Sequence, residues 1–376
     1  MQVVVLKSLA DIDASAWDVL VGDHPFLSHG FLHGLEATDC LAPQGWYSQH
    51  LAVYDGTRLV AAMPLYLRDN SFGEFVFDWS WAEAYERSGG RYYPKLVSAI
   101  PFSPVTGPRV LIAADRADRA ALAQLLIETA RTACDDNRLS SWHCLFPATE
   151  ELPAYDAAGL ARRLGCQYHW FNQDYRDFDH FLTALNSKKR KMIKRERRLV
   201  TEQALAIEVL TGDQISAEHW TVFHRFYCST FARKWGEPRL TEAFFQSLEQ
   251  RLPGAAVLIL ARDRGHYVAG AFALKSKHTL YGRHWGCSAQ FDNLHFELCY
   301  YQTIAYCIEH GLTTLDAGAQ GEHKLARGFV PVPTWSVHWI REPRFRQAVT
   351  DFLKRERGAM EHHLHALEDH VAFRQE

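Results

Sequence analysis

The stretch LYGRHWGCSAQFDNLHFELCYYQTIAYCIEHGLTTLDAGAQGEHKLARGFVPVPTWSVHWIR, residues 280–341, decides the fold of this chain. Its pattern predicts a strand, a loop, a helix, a second strand, a polar loop and a third strand. Apolar residues keep helical spacing from Leu298 onward, and His310-Gly311 provides a C-terminal stop for the helix. The short apolar segment 312–317 then reads as a buried strand. This order is typical of an α/β domain.

The polar loop at residues 318–324, with the sequence GAQGEHK, is the first candidate site. Loops at the ends of strands are where binding and catalytic groups gather. Gly318 and Gly321 allow the backbone to approach a ligand closely. The side chains between and after them are small or able to bind a ligand, so we expect this loop to face a substrate.

Three longer blocks resemble one protein family. They are PLYLRDNSFGEFVFDWSWAEAY (64–85), YYPKLVSAIPFSPVTGPR (92–109) and AGAQGEHKLARGF (317–329). These blocks resemble the FemAB-like acyltransferases of the GNAT superfamily, and within them a group of predicted N-acyltransferases described as peptidoglycan-biosynthesis-like. The resemblance implies transfer of an acyl or aminoacyl group to an amine. We expect the acceptor to be a cell-wall precursor or an amino-acid-like molecule. The implied co-substrate is aminoacyl-tRNA or acyl-CoA, with no tightly bound cofactor.

An internal duplication is predicted from two similar stretches. Residues 51–79 and 258–286 each read as a strand, a turn with Asp and Gly, a long strand, a second turn and a third strand. Helical material precedes each stretch, over 13–38 and 216–252. We therefore expect a mixed α/β (α+β) fold of tandem GNAT-like domains, each a mixed, mostly antiparallel sheet flanked by helices. One larger α/β domain is the alternative.

The boundary between the two predicted domains lies near residue 172. An N-terminal GNAT-like domain, 1–171, is expected to bind the acceptor. A C-terminal GNAT-like domain, 172–376, is expected to carry the acyl-transfer site, because its loops are richer in ionisable groups. It begins with the basic run SKKRKMIKRERR, 187–198, which predicts a helix whose like charges repel unless an anion lies against it. The residues expected to bind the phosphates of the donor are Lys188, Arg190, Lys191 and Lys194; a solvated helix is the alternative.

Acyl transfer to an amine needs a neutral amine, a stabilised oxyanion and a proton for the leaving group. The residues expected to supply these functions are Glu297, His323, Lys324 and Arg327. Glu297 has a second interpretation as a carboxylate at a helix N-terminus. In the FemAB pattern a Phe-Lys pair stands directly before the final Gly-Phe, and here that lysine position falls on Ala326. Either Lys324 or Arg327 then takes its place, or the mechanism of the family does not transfer to this chain.

Aromatic and charged residues define the expected substrate-binding set. Flat rings offer stacking surfaces, and an arginine can clamp a phosphate or carboxylate through two hydrogen bonds. The set comprises Trp79, Trp81, Tyr85, Tyr93, Lys95, Arg109, Arg283, His284, Gln320 and Glu322. Trp79 and Trp81 are predicted on one face of a strand, where burial in the core is the competing interpretation. His284 has the same alternative.

Several classes of protein are disfavoured. The chain has no [Q/R]-x-x-G-x-[G/A] loop after the strand ending at Gly286, so a conventional acetyl-CoA site is not expected. It has no serine-hydrolase, P-loop or dinucleotide motif and no H-E-x-x-H metal motif. The net charge of −3 gives no general affinity for nucleic acid, although tRNA remains a possible partner through the basic run. The pattern leaves the oligomeric state open.

The expected location is the cytoplasm. The N-terminus lacks the pattern of a signal peptide, no membrane span is predicted, and the eight cysteines are scattered without a C-x-x-C pair. Two alternative functions stay open beside N-acyl transfer. One is a non-catalytic protein that binds a peptidoglycan-like or nucleotide-linked ligand, and the other is a divergent acyl-CoA N-acetyltransferase.

Overall fold

The computed structural model describes residues 1–232, 236–318 and 321–374. The strands in chain order are β1 Gln2–Leu6, β2 Trp46–Ser48, β3 His50–Asp55, β4 Arg58–Met63, β5 Tyr66–Arg68, β6 Lys95–Ser98, β7 Leu111–Ile112, β8 Ser141–Leu145, β9 Ala161–Phe171, β10 Ala206–Thr211, β11 Ala256–Asp263, β12 His266–Lys275, β13 Thr279–Cys287, β14 Thr314–Asp316 and β15 Val330–Ile340. The helices are α1 Ala14–Val21, α2 His29–Ala37, α3 Trp79–Arg87, α4 Arg119–Asp136, α5 Leu152–Ala157, α6 Phe178–Ala184, α7 Ser187–Glu202, α8 Ala217–Ala232, α9 Glu242–Arg251, α10 Leu294–Phe296, α11 Gln302–Glu309 and α12 Pro343–Glu368. A π-helical turn, Glu297–Tyr301, joins α10 to α11.

The chain divides into two compact units, each made of two segments. The first unit is Met1–Gly165 with Pro333–His363, and the second is Cys166–Val332 with Leu364–Glu376. The predicted domains, 1–171 and 172–376, were each one continuous segment. In the structure, residues 333–363 instead belong to the first unit. The reason is a long-range pairing: residues 336–340 of β15 form an antiparallel ladder with β8. A pairing between strands so far apart in the sequence cannot be predicted from a local pattern.

The first unit contains an antiparallel sheet in the order β1-β3-β4-β7. A second group of strands follows the order β15-β8-β6-β5-β2, in which β6 and β8 are parallel and are connected through α4. Parallel neighbours need such a crossover because a tight turn reverses the chain direction. The core between these elements is apolar and includes Val60, Leu126, Trp142, Tyr155 and Val337.

The second unit contains strands in the order β10-β11-β12-β13-β14-β9. All neighbours are antiparallel except β13 and β14, which are parallel and are joined by the helix built from α10, the π turn and α11. Helix α8 packs so closely on β13 that a Cβ on Gly286 would overlap the main-chain carbonyl of Phe226. The core includes Trp170, Phe181, Ile259, Tyr301 and Leu315.

The two units repeat one order of elements. In the first, β1, α1, α2 and the β3–β4 hairpin follow one another, and in the second β10, α8, α9 and the β11–β12 hairpin do so. Each unit then forms one parallel strand pair around a crossover helix. The predicted fold class, tandem GNAT-like halves with mostly antiparallel sheets flanked by helices, is confirmed.

One predicted strand is wrong. Residues 69–78 form a loop, and Trp79 and Trp81 lie on helix α3 rather than on one strand face. The physical reason is that Glu74 and Asp78 of this segment pair with the buried Lys95 ammonium, which holds the segment as a loop and not in a sheet ladder. The predicted basic helix is found as α7, and its first turn is capped by the Asn186 side chain, which accepts from the Lys189 main-chain N–H. None of the helices in the described residues is both long and apolar enough to cross a membrane.

Candidate functional site

The polar loop begins directly after β14 with a buried ion pair. Asp316 accepts hydrogen bonds from Arg283 Nη2 at 2.8 Å and from the Gly318 main-chain N–H at 2.8 Å. Burial alone would raise the pKa of Asp316, but Arg283 and then His169 lower it to about 2. Arg283 was predicted to bind substrate. Because its guanidinium is nearly enclosed and held by Asp316, we assign it instead to fixing the end of β14.

Lys324 is the most unusual cation of the second unit. Its side chain is buried, and Nζ donates to the carbonyl oxygens of Ala317 at 2.6 Å and Gly318 at 3.1 Å. Burial lowers the pKa of Lys324 to about 8, against the opposing attraction of Asp316. An ammonium has three N–H donors, and within the described residues the third has no hydrogen-bond acceptor. Lys324 is therefore a fixed, partly desolvated cation.

Two glycines set the turn that carries Lys324. The 3₁₀ turn Glu322–Arg327 lies between Gly321 and Gly328, whose φ angles are +106° and +88°. Only glycine adopts such angles without strain. Because side chains three residues apart align in a 3₁₀ turn, Lys324 and Arg327 lie on the same side of it.

His323 precedes Lys324 and has a different environment. Its exposed ring lies with Nε2 3.0 Å from the hydroxyl of Tyr300. Partial burial, followed by the charges of Arg327 and Lys324, lowers the pKa of His323. A neutral imidazole at pH 7 is able to accept a proton, and the tautomer that donates from Nε2 to Tyr300 leaves Nδ1 free for that task.

Gly321 provides a test of the position of His323. The change Gly321→Ala is expected to lower the free energy of unfolding by about 1–2 kcal/mol through its positive φ angle and to displace the His323 ring. The displacement follows because the new Cβ would lie 3.0 Å from Nδ1 and closer still to Cε1. The measurements are urea unfolding and the NMR titration of the His323 ring.

The matched control for that change is Gly311→Ala. Gly311 has a positive φ of +64°, but a Cβ there meets nothing within 4 Å. Both variants should lose stability, whereas only the Gly321 variant should alter the His323 titration. An unchanged titration in both would show that Gly321 does not position the ring.

Arg327 is buried and is held by a partly buried acidic partner, Glu196, whose side chain is 13% exposed. Its Nη2 donates to Glu196 Oε1 at 2.7 Å, and its Nε donates to the hydroxyl oxygen of Tyr301 at 3.0 Å. Its Nη1 donates to the main-chain carbonyl of His323 at 2.8 Å. Tyr301 in turn donates to Glu196. Arg327 was predicted to be catalytic, but these contacts assign it to holding the turn that bears His323 and Lys324.

Glu297 is similarly engaged. Its carboxylate accepts from Arg197 Nη2 at 3.1 Å and from Gln302 Nε2 at 2.8 Å, and it is buried in the π turn. These donors occupy the oxygens of the Glu297 carboxylate. The proposed role as a general base therefore lacks support from these contacts, whereas an electrostatic tie between α7 and the π turn is directly visible.

A basic groove lies along helix α7. It encloses about 470 Å³ and is lined by Lys188, Lys191, Met192, Arg195, Glu196, Leu199 and Asn293. Of the four residues predicted to bind donor phosphates, Lys188 and Lys191 line it. Arg190 and Lys194 do not line the groove, and Lys194 Nζ lies 3.9 Å from Asp179 Oδ1. Arg195 was missed, although its spacing of seven residues from Lys188 places both on one face of the helix.

The predicted substrate residues of the first unit are mostly interior. Trp81, Tyr85 and Lys95 are buried, and Lys95 donates to Ser71, Glu74 and Asp78. Arg109 is fully buried and donates to the carbonyls of Leu145, Gly107, Pro108 and Val105. A phosphate would have to displace these acceptors, so the predicted clamp is replaced by a structural role that closes the loop before β7.

The remaining predictions divide between core and surface. Trp79 is exposed, and Tyr93 is partly exposed with its hydroxyl 2.8 Å from Ser71 Oγ. The half-buried His284 packs its ring against Tyr227, and burial lowers its pKa to about 3, which favours a structural role. Glu322 is exposed beside His323. Gln320 lies outside the described residues.

The residues that sequence reasoning missed are Glu196, Arg197, Tyr300 and Tyr301. Glu196 is the one acidic residue within the basic run 187–198, which was an available signal, because an acid among many bases is a natural partner for a distant cation. The two tyrosines carried no signal beyond helical spacing.

The chain matches the FemAB-like family model, described as peptidoglycan biosynthesis and recognition, over residues 8–375. The chain belongs to the FemAB-like family. No curated protein shows a significant sequence match to it. Among solved structures it is similar to FemX, with 14% identity, a TM-score of 0.58, and coverage of 93% of this chain and 100% of the other.

Two further solved structures are similar to this FemAB-like chain. One is the C-terminal domain of a putative lysylphosphatidylglycerol synthetase from Agrobacterium fabrum, with 12% identity, a TM-score of 0.56 and coverage of 92% and 96% of the two chains. The other is L-PGS from Bacillus licheniformis, with 12% identity, a TM-score of 0.52 and coverage of 86% and 94%. At these identities the likeness establishes a shared fold.

Proposed function

We propose that this FemAB-like chain transfers an acyl or aminoacyl group from a phosphate-bearing donor to an amine. The observation that carries the proposal is Lys324, a buried ammonium fixed by the carbonyls of Ala317 and Gly318, whose third N–H has no acceptor among the described residues. Such a group suits the stabilisation of an oxyanion, because a preorganised cation in a water-poor site acts strongly on developing charge. The family description supports a cell-wall precursor as the acceptor.

The reaction assigns one role to each group. The acceptor amine attacks the carbonyl carbon of the donor, a C–N bond forms, and the oxyanion is stabilised by Lys324. His323 takes the proton from the amine, since its lowered pKa keeps it neutral at pH 7. The bond to the leaving oxygen or sulfur then breaks, and the proton passes to that leaving group.

The basic groove supports an aminoacyl-tRNA donor. Lys188, Lys191 and Arg195 follow one another along about 10 Å of helix, at 1.5 Å per residue. Such a row suits successive phosphates of a nucleic-acid backbone. A single pyrophosphate is usually bound by the free N–H groups of a glycine-rich helix start, and the helix following β13 instead begins after Asn293, without that loop.

The donor is tested by binding of aminoacyl-tRNA over a range of salt concentrations. The double variant Lys188→Gln/Lys191→Gln should bind more weakly, and the slope of log affinity against log salt should fall by roughly 0.7–0.9 for each lost phosphate contact. The double variant Arg190→Gln/Lys194→Gln is the matched control, because it removes two charges from the same helix outside the groove. Equal binding by wild type and the double variant, or a melting-temperature shift with acyl-CoA alone, would contradict this donor.

The second candidate function is recognition without catalysis. The observation that favours it is that Glu297 and Arg327, two of the four residues predicted to be catalytic, are consumed by ion pairs. Under this alternative the chain binds its ligand without catalysing a reaction, so changes at Lys324 alter only the binding affinity.

A further inference from the structure

Four large aromatic side chains stand exposed on one segment of the first unit. Phe72, Phe75, Phe77 and Trp79 are 58%, 37%, 53% and 49% exposed. The rings of Phe72 and Phe77 lie 6.0 and 5.1 Å from the ring of Trp79, centroid to centroid. Single exposed apolar residues are common, but a group of touching ones marks an interaction surface. We call residues 72–79 the aromatic loop.

The buried cations Arg68 and Lys95 hold the aromatic loop through hydrogen bonds. Arg68 donates to the Phe72 carbonyl at 2.8 Å and to Glu74 Oε1 at 3.2 Å. Lys95 donates to Glu74 Oε2 at 2.8 Å and to Asp78 Oδ2 at 2.5 Å. The acidic groups of the loop thus point inward and are paired, while its rings point outward. The rings are able to enter an apolar medium without taking a charge with them.

We propose that the aromatic loop docks on the surface of a lipid bilayer, with the rings of Phe72, Phe77 and Trp79 at the level of the headgroups. Tryptophan and phenylalanine are typical of protein segments that lie in this interface. The four side chains expose roughly 400 Å² in total, judged from the usual area of aromatic residues. A stable protein interface buries about 800 Å² on each partner, so this patch is too small for one.

The charges around the loop make the proposal specific. No Lys, Arg or His occurs between residues 69 and 86, and Asp69 and Glu83 are exposed there. Arg163, which donates to the Phe77 carbonyl at 2.8 Å, is paired with Glu356. Docking should therefore depend on apolar insertion and not on anionic lipid. The basic groove of the second unit, lined by Lys188 and Lys191, would in contrast attract anionic membranes in a manner that salt abolishes.

The test is co-sedimentation of the full chain with phosphatidylcholine vesicles at high salt. The wild type should bind, and the triple variant Phe72→Ser/Phe77→Ser/Trp79→Ser should bind at least about tenfold more weakly. Phe352→Ser is the matched control, because Phe352 is 41% exposed on α12 of the same unit, and it should bind as the wild type does. If the triple variant fails to fold, Phe72→Ser alone provides the comparison, since that ring is the most exposed.

Four outcomes would overturn membrane docking by this loop. The first is the absence of wild-type binding to neutral vesicles, and the second is unchanged binding by the folded triple variant or by Phe72→Ser. The third is binding to anionic vesicles alone, with loss at high salt. The fourth is a concentration-dependent dimer that only the triple variant loses. The third would assign membrane attraction to the basic groove, and the fourth would make the loop a protein interface. The test is independent of acyl transfer.

Discussion

Replacing Lys324 with methionine is expected to lower the rate of acyl transfer by about 100-fold or more, the usual cost of removing one oxyanion donor. The melting temperature should change by only a few degrees. Methionine keeps the length of the buried stem, and the loss of two hydrogen bonds to Ala317 and Gly318 is offset by the removal of a desolvated charge. The measurements are single-turnover transfer and thermal unfolding of the same preparations.

The pH dependence of the same site follows from its lowered pKa. Lys324 is charged below about pH 8, so transfer that depends on the ammonium should decline as the pH rises through about 8. The free energy of unfolding changes with pH in the opposite direction. Between about pH 8 and the ordinary lysine value of 10.5 the unfolded chain binds more protons than the folded chain, so the Lys324 contribution to unfolding free energy rises with pH. The difference between wild type and Lys324→Met isolates this contribution from other groups.

Two results would contradict these roles of Lys324. Transfer at the wild-type rate by a folded methionine variant would remove the oxyanion assignment. Loss of transfer together with a collapse of the melting temperature would make Lys324 a structural residue.

Breaking the Glu196–Arg327 pair from one side is the second large expected effect. Glu196→Gln or Arg327→Met alone should lower the free energy of unfolding by about 3–5 kcal/mol, because each leaves a buried charge without its partner. The double variant Glu196→Gln/Arg327→Met should lose less than the sum of the single changes, since it removes both charges. Urea unfolding of the four proteins measures the coupling.

The control for that cycle lies on the same helix. Arg198 and Glu202 form an exposed pair with 3.4 Å between Nε and Oε1, and Glu202→Gln should leave stability unchanged within error. Each single variant of the buried pair should also lose transfer, because Arg327 holds the carbonyl of His323. Additive stability losses would show that Glu196 and Arg327 are not energetically coupled.

Local patterns predicted much of the fold. The hairpins at 51–63 and 256–275 were readable because Asp-Gly turns and alternating apolar residues act over a few residues. The basic helix was readable for the same reason. The hairpins and this helix depend on neighbours in sequence, and the structure contains all three.

Long-range pairings could not be predicted in this way. Arg327 meets Glu196 across 131 positions, and Arg197 meets Glu297 across 100, so neither partner shows in a local pattern. The burial of Lys95 and Arg109 was missed because long cations are usually exposed, and only the carboxylates and carbonyls around them permit enclosure. The aromatic segment 72–79 was mistaken for a strand because its alternation reflects inward acids rather than a pleated sheet.

Direct transfer is the measurement that tests the central claim, namely that the loop after β14 carries acyl-transfer chemistry. Aminoacyl-tRNA with a labelled amino acid would be incubated with the chain and a cell-wall precursor that bears a free amine, and the new amide would be followed by mass. The proposed function predicts amide formation by the wild type, a large loss with Lys324→Met and near-normal rates with Lys194→Gln. Tight binding of both substrates without any amide, in wild type and variants alike, would contradict it and establish a recognition protein.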